Sequence, residues 1–491
     1  MGSEGHTLSM LFFPLMAQGH MLPMLDMAKL FAMRGVEATV LTTPGNAPLV
    51  RPFLDRANAG PVARPMRLRL VPFPSGTGLP EGCENLSSIP AREMPSLRVE
   101  FFRAVSRLRE PFGWVLGELL PDCVVTDMFL PWTRDVAAGL GIPRLVFHGT
   151  SFFSLCVAES LHRHRPLETL PAEAETLVIP GLPHRVEMLR SQMPNHAEEA
   201  RELFAQLRES EAKSYGVVVN SFYELEPDYA RHYREVVGRR AWHIGPVALC
   251  NRDDDADTSA RGYEAAIRRD DCLRWLDSKS AGSVLYVCFG SMSDFGAAQL
   301  REMALGLEAC GHPFVWAVRS DGDEWVPEGF EERVEGRGLV IRGWAPQILI
   351  LNHPSVGGFV THCGWNSSLE GVSAGLPLVT WPLFAEQFYN EKLIVDVLRI
   401  GVSVGVKEYA MKPEERGLVD AATIRKAAEE VMGSGEEAQE RRRRARELGE
   451  AARRAVGKGG SSYKDLNNLI EELMEKNNVS SRTNTIDNIS I

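Results

Sequence analysis

Apolar and polar positions along this chain follow two alternating periods. Ser9 to Pro14 is a short, largely apolar run that reads as a strand buried on both faces. Gly19-His20 follow, then apolar residues at helical spacing from about Met21 to Met33, closed by Gly35. Glu37 to Thr42 returns to a strand pattern. Strand, helix and strand with short joins predict a βαβ unit, and so a parallel sheet covered by helices. Cys123 to Asp127, Arg144 to Phe147 and Gly216 to Asn220 continue the series.

Over Cys250 to Gly262 the periodicity stops. The text NRDDDADTSARG is acidic and unpatterned, the composition of a linker. A second series then starts, with strands expected at Ser283 to Phe289, Pro313 to Val318, Leu339 to Arg342, Val356 to Thr361 and Pro377 to Trp381. The expected fold is α/β: two doubly wound, Rossmann-like domains, residues 1–249 and 263–460, facing across a cleft. A helix over 461–476 is expected to pack back on the first domain, ahead of a polar, disordered tail at 477–491. Ligands of doubly wound sheets collect at the C-terminal ends of strands, so functional residues belong there.

A chain of 491 residues suits two domains of ordinary size. Its net charge of −11 disfavours nucleic acid and anionic membrane, both of which select basic surfaces. The basic run Arg441 to Arg444, with Arg446, follows Glu436, Glu437 and Glu440 and reads as a solvated helix face. Eight single Cys, with no CxxC pair and no Cys/His cluster, argue against structural zinc or a disulfide framework and for a reducing, cytoplasmic setting. No Lys or Arg precedes the apolar stretch Leu8 to Ala17, which is therefore read as an internal strand rather than a signal-peptide core. No run reaches the roughly 18 apolar residues of a membrane span. A monomer without membrane insertion is the expectation.

The chemistry concentrates between Trp344 and Gln387, WAPQILILNHPSVGGFVTHCGWNSSLEGVSAGLPLVTWPLFAEQ. A strand ending at Thr361 meets His362, Cys363 and Gly364, and a helix follows from about Asn366. Strand, glycine-containing turn and helix N-terminus make an anion site, because free backbone N–H groups and the helix dipole point at the ligand. Asn366, Ser367 and Ser368 add side-chain donors, His362 can donate to a phosphate oxygen, and Phe289-Gly290-Ser291 offers a second such turn. Such a turn alone could hold a dinucleotide, a phosphosugar or nothing. Neither half has GxGxxG after its first strand, which lowers the dinucleotide reading, and there is no GxxxxGK[ST] loop.

The whole segment resembles the signature box of plant secondary-product glycosyltransferases, among the family-1 UDP-glycosyltransferases. PLMAQGHMLPMLDMAKL near the start, VVTDMF at 124–129 and GGSSYKDLNNLIEEL near the end extend the resemblance over the globular part of the chain. It implies the GT-B arrangement of two Rossmann-like domains and a UDP-sugar co-substrate. Carried over by position, it implies that Trp344 stacks on uracil with Ala345 and Gln347 beside it. His362, Asn366 and Ser367, with Ser291, would hold the phosphates. Glu370 would take the ribose hydroxyls as a pure acceptor, and Trp365, Glu386 and Gln387 would meet the sugar. A Gln such as Gln387 tends to accompany glucose donors, whereas many members have Asp where this chain has Glu386, which leaves the sugar slightly open.

Sugar transfer also needs a base, because an alcohol or phenol is a weak nucleophile. His20 lies after the first strand, and Asp127 ends the strand CVVTD, where its carboxylate could orient an imidazole. The resemblance gives those two positions that role, with inversion at the anomeric carbon. No acidic cluster with metal-ligand spacing is evident, so neither a metal nor another cofactor is expected. Phe12, Met16, Met21, Phe129, Phe152 and Phe153 lie near strand ends, and with Met193 are the expected lining of an apolar acceptor pocket. FAEQFYNEK resembles a subgroup acting on flavonoids, triterpenoids, steroids and other phenolics. Rival readings are a different UDP-sugar, with glucuronate disfavoured by Glu386; a sensor that has lost catalysis, against which His20 and Asp127 both stand; and a nicotinamide oxidoreductase.

Overall fold

The computed structural model describes residues 7–90, 93–171, 174–194, 198–251, 262, 264–320 and 322–487. In the first half the strands are β1 (Ser9–Phe13), β2 (Glu37–Thr42), β3 (Arg67–Leu70), β4 (Cys123–Asp127), β5 (Arg144–His148), β6 (Thr176–Ile179), β7 (Val186–Leu189), β8 (Gly216–Val219) and β9 (Ala241–His243). Seven of them form one parallel sheet in the order β3-β2-β1-β4-β5-β8-β9, and β6 and β7 make a separate antiparallel hairpin. The second half contributes β10 (Val284–Cys288), β11 (Phe314–Val318), β12 (Gly338–Arg342), β13 (Val356–Thr361), β14 (Leu378–Thr380) and β15 (Gly401–Ser403), paired in parallel as β12-β11-β10-β13-β14-β15. Two doubly wound domains result, in agreement with the expected fold class.

The continuous apolar runs became the central strands because helices cover both faces: all residues of β4, β5, β8 and β13 are buried. The strands that periodicity did not single out are edge or near-edge strands. β3 reads RLRL and has no buried residue, while β9 and β15 are only three residues long. The first helix starts at Gln18 rather than Met21, which puts His20 inside its first turn.

The last helix runs Ser461–Asp487, beyond the Lys476 end read from the sequence, and residues 477–487 contain neither Gly nor Pro to stop it. Leu466, Leu469, Ile470 and Leu473 repeat at helical spacing and are buried in one cluster with Leu8, Met10, Phe12 and Phe31. At ~1.5–3 kcal/mol for each side chain buried, this stripe anchors the end of the chain on the first domain. Asp465 accepts from Arg234 and from the His243 amide, both at 3.0 Å, and fixes the register. Most of the expected linker, 252–261, lies outside the described residues. Among the described residues, no helix is long and apolar enough to cross a membrane.

Each sheet reverses its winding at one place, between β1 and β4 in the first and between β10 and β13 in the second. Doubly wound sheets bind ligands in the crevice opened by such a reversal. His20 and Asp127 flank the first one, and Ser291 and His362 flank the other.

Candidate active site

In the first domain, His20 Nδ1 lies 2.8 Å from Asp127 Oδ2. The carboxylate is 1% exposed and the imidazole 29%, so the acid is buried behind an imidazole that keeps part of its surface open. Because Asp127 accepts, Nδ1 carries the proton and Nε2 keeps its lone pair for the cleft. The other Asp127 oxygen accepts from the Phe129 amide at 3.0 Å, and the Phe129 ring meets His20 edge-on at 5.6 Å. Burial alone would lower the His20 pKa, but the charge and hydrogen bond of Asp127, with the charge of Glu386, outweigh it and raise it.

A buried guanidinium holds this turn from behind. Arg144 donates to Thr126 Oγ1 at 2.7 Å, to the Asp127 and Leu130 carbonyls at 3.2 and 3.3 Å, and to Ser210 and Ser214 at 2.9 and 3.0 Å. Desolvation brings its pKa down to about 10, still far above neutral, so it remains charged.

In the second domain, β13 ends in a turn whose backbone is strained: Cys363 has φ +64°, and the helix Trp365–Ala374 starts immediately after Gly364. His362 is wedged between two glycines. A Cβ on Gly290 (φ +76°) would sit 2.7 Å from the imidazole, and one on Gly364 would sit 2.3 Å from it, so neither position admits a side chain. Burial lowers the His362 pKa to about 4, which keeps the ring neutral, and its buried Nδ1 has no hydrogen-bond partner among the described residues. Gln347 Nε2 donates to Glu370 Oε2 at 2.7 Å and to Ser367 Oγ at 3.1 Å, tying three of the box residues together. Ala345 is buried, Trp344 is half-buried against Gly262, and the Ser291 carbonyl accepts from Arg319.

The two turns touch. Asn366 Nδ2 donates to the Gly19 carbonyl at 2.6 Å, immediately before His20 in the chain. Trp365, 3% exposed, donates its indole N–H to the Asn220 carbonyl at 2.7 Å; its one side-chain donor is thus committed to the other domain rather than turned to a sugar. Asn390 adds a third tie, accepting from Ser154 Oγ and donating to the Cys363 carbonyl, both at 2.8 Å. Gln387 Oε1 accepts from the Leu383 and Phe384 amides at 2.9 and 3.0 Å, which leaves only its NH2 for a ligand. Glu386 follows Ala385, whose φ is +55°, and burial raises its pKa.

The apolar expectations need correction. Phe152 is fully buried between Tyr233 and His243, Phe153 packs on Tyr229, and Phe12 packs on Phe31, so all three are core. Met16 and Met21 are also closed off in the core, the latter 3.4 Å from Asn85 Nδ2. Met193 is buried beside a strap in which Ser191 and Gln192 donate to the Lys407 and Val406 carbonyls. Of the expected lining, only Phe129 is half-buried beside His20. Phe102, 5.9 Å from Phe129, was missed, because its helix carries no strand-end signal. Gln18 was missed as well; it is buried beside Gly262, and neither side-chain amide atom has a partner among the described residues.

Two doubly wound domains, with a histidine–carboxylate pair at one reversal set against a glycine-walled strand-to-helix turn at the other, have the layout of a GT-B glycosyltransferase. Crystallised Glycyrrhiza uralensis UGT73P12, complexed with glycyrrhetinic acid 3-O-monoglucuronide, has the same fold at a TM-score of 0.92, with 42% identity over 99% of both chains. The family model for UDP-glucoronosyl and UDP-glucosyl transferase matches residues 181–422. The scopoletin glucosyltransferase of Nicotiana tabacum is 51% identical over 471 residues, 94% of this chain and 97% of that one. UDP-glucose flavonoid 3-O-glucosyltransferase 7 of Fragaria ananassa is 48% identical, over 95% and 96% of the two chains. The chain belongs to this family, among the family-1 UDP-glycosyltransferases of plants, and is a UDP-dependent glycosyltransferase.

Proposed function

We propose that the enzyme transfers glucose from UDP-glucose to a hydroxyl of a small phenolic, flavonoid, triterpenoid or steroid acceptor, inverting the anomeric carbon. The observation that carries this reading is the contact of Asn366 with Gly19, which sets the anion-binding turn against the turn bearing His20. His20 Nε2 takes the acceptor proton, the freed oxygen bonds to the anomeric carbon, and the bond to the diphosphate breaks with its electron pair leaving on UDP. Asp127 stabilises the imidazolium that forms. The backbone N–H groups at the start of helix Trp365–Ala374, with neutral His362 and Ser291, face the charge gathering on the diphosphate. Glu370 and Gln347 meet the ribose and base, Trp344 stacks on uracil, and Glu386 and Gln387 set the sugar.

Relatives named for scopoletin and for a flavonoid 3-hydroxyl favour phenolic acceptors, and UDP-glucose in one of those names favours glucose. No metal or other cofactor is part of the mechanism, so transfer should survive excess chelator. Eight cysteines without a disulfide favour a reducing, cytoplasmic setting. The reading is tested by offering UDP-glucose, UDP-galactose and UDP-glucuronate with a panel of phenols, following UDP release, product mass and the coupling of the anomeric proton. A β-linked hexose product, made best from UDP-glucose, is expected. An α-linked product, or no transfer by protein that binds UDP, would overturn it.

A further inference from the structure

Among the described residues, Arg98, at the junction of the two domains, is a cation with no anion. Arg98 lies on helix Met94–Ser106 of the first domain and is half-buried. Its Nη1 reaches across to the second domain and meets the Met411 thioether at 3.5 Å. Among the described residues no carboxylate lies within ion-pair distance of it, although the chain carries 65 Asp and Glu against 54 Lys and Arg. The nearest acid on its own helix, Glu100, is taken by Arg103 at 2.7 Å. Among the described residues, the acceptor named for this planar fork of five donors is a thioether, which is a weak one.

Two chains of neighbouring residues lead from Arg98 towards His20. On the first domain, Phe102 is one turn further along the same helix face, its ring is 5.9 Å from Phe129, and Phe129 is 5.6 Å from His20. On the second domain, the charge of Glu386 acts on His20, the Ala385 amide donates to the Tyr409 hydroxyl at 3.2 Å, and the charge of Arg98 acts on Tyr409. Arg98 thus stands at the junction of the two domains, beyond Phe102 and Phe129 as seen from His20.

We infer that Arg98 is a specificity-determining residue that binds a carboxylate on the acceptor, favouring phenolic acids whose acid group lies at the end of the molecule away from the reacting hydroxyl. The inference rests on the glucosyl-transfer reading above for the role of His20. A guanidinium suits this task because its paired N–H groups match both oxygens of a carboxylate and stay charged at any working pH. A neutral phenol of the same shape would leave the fork as it now is.

The test uses the full-length enzyme, UDP-glucose, and the matched pair 4-hydroxycinnamic acid and its methyl ester. The wild type should favour the acid over the ester in kcat/KM by about tenfold, chiefly through KM, and Arg98→Gln should bring that ratio close to unity. Arg98→Lys should keep part of the preference, since it retains the charge but not the fork. An unchanged UDP affinity will show that each variant is folded. Calorimetric titration of the acid in the presence of UDP reads the same contact without turnover, and Arg98→Gln should weaken it by about tenfold. An acid-to-ester ratio that Arg98→Gln leaves unaltered, or a wild type that prefers the ester, would overturn the assignment. Absence of transfer to any phenol would overturn the glucosyl-transfer reading, while the titration would still decide whether Arg98 holds a carboxylate.

Discussion

Asp127 acts on His20 in two ways that can be separated by titration. It fixes the tautomer through a 2.8 Å hydrogen bond, and its charge raises a pKa that burial would otherwise lower. In the proposed mechanism His20 is the base, and a base works only when unprotonated, so the acid limb of the rate–pH profile should lie above the ordinary His value of about 6.5. In Asp127→Asn both supports are lost and the burial remains, so the acid limb should move to lower pH while kcat falls by about a hundredfold or more. A kcat profile over pH checks both parts; an acid limb that stays in place would remove Asp127 as the source of the shift. His20 and Asp127 were legible in the sequence because each follows or ends a strand that periodicity identifies. Phe152 shows the limit of that signal. Like Phe129 it follows a strand end, but the two amides at the head of its helix are held by Glu226, 74 and 73 residues further on, which turns the ring into the core. Nothing local in the sequence distinguishes the two rings.

The turn from Asp127 to Leu130 is fixed by an element, β5, that contributes nothing to the cleft itself. Arg144 opens that strand and supplies donors to two carbonyls and three hydroxyls around the turn. Arg144→Met would keep the bulk and strip the donors, leaving buried acceptors unpaired. A loss of stability on the order of 3 kcal/mol is expected, read by denaturant unfolding, with a fall in kcat because Asp127 is no longer held. A variant as stable as the wild type would show that water or neighbours replace the guanidinium. Arg144 was not legible as a site residue because its partners lie 14 to 70 residues away. The signature box was legible for the opposite reason: strand, turn and helix are consecutive, so one 44-residue stretch spells out both the anion turn and the residues around it.

At the scale of the molecule, the two domains meet through buried polar groups, and this makes stability sensitive to pH. Glu226, beside the Asn220 carbonyl that receives Trp365, accepts from the Phe152 and Phe153 amides and from Ser221. Burial pushes its pKa up to about 7, against those hydrogen bonds. Between the ordinary carboxylate value and 7 the folded chain therefore holds a proton that the unfolded chain has released, so stability falls as pH rises through that window. Glu226→Gln keeps an acceptor and has no proton to lose. The Tm difference, wild type minus Glu226→Gln, should become more negative from about pH 5 to pH 8, and a constant difference would contradict it. Sheet order and the Asn366–Gly19 contact were beyond the sequence, because strand partners lie up to 113 residues apart and that contact spans 347. The central claim is that one domain supplies the base and the other holds the donor. The most direct measurement pairs glucose-transfer turnover with the UDP dissociation constant in His20→Ala and in Glu370→Ala. The account predicts that His20→Ala loses turnover by at least about a hundredfold with UDP affinity within about twofold of wild type, and that Glu370→Ala weakens UDP binding. Turnover retained in His20→Ala, or UDP affinity lost with it, would contradict the division of labour between the domains.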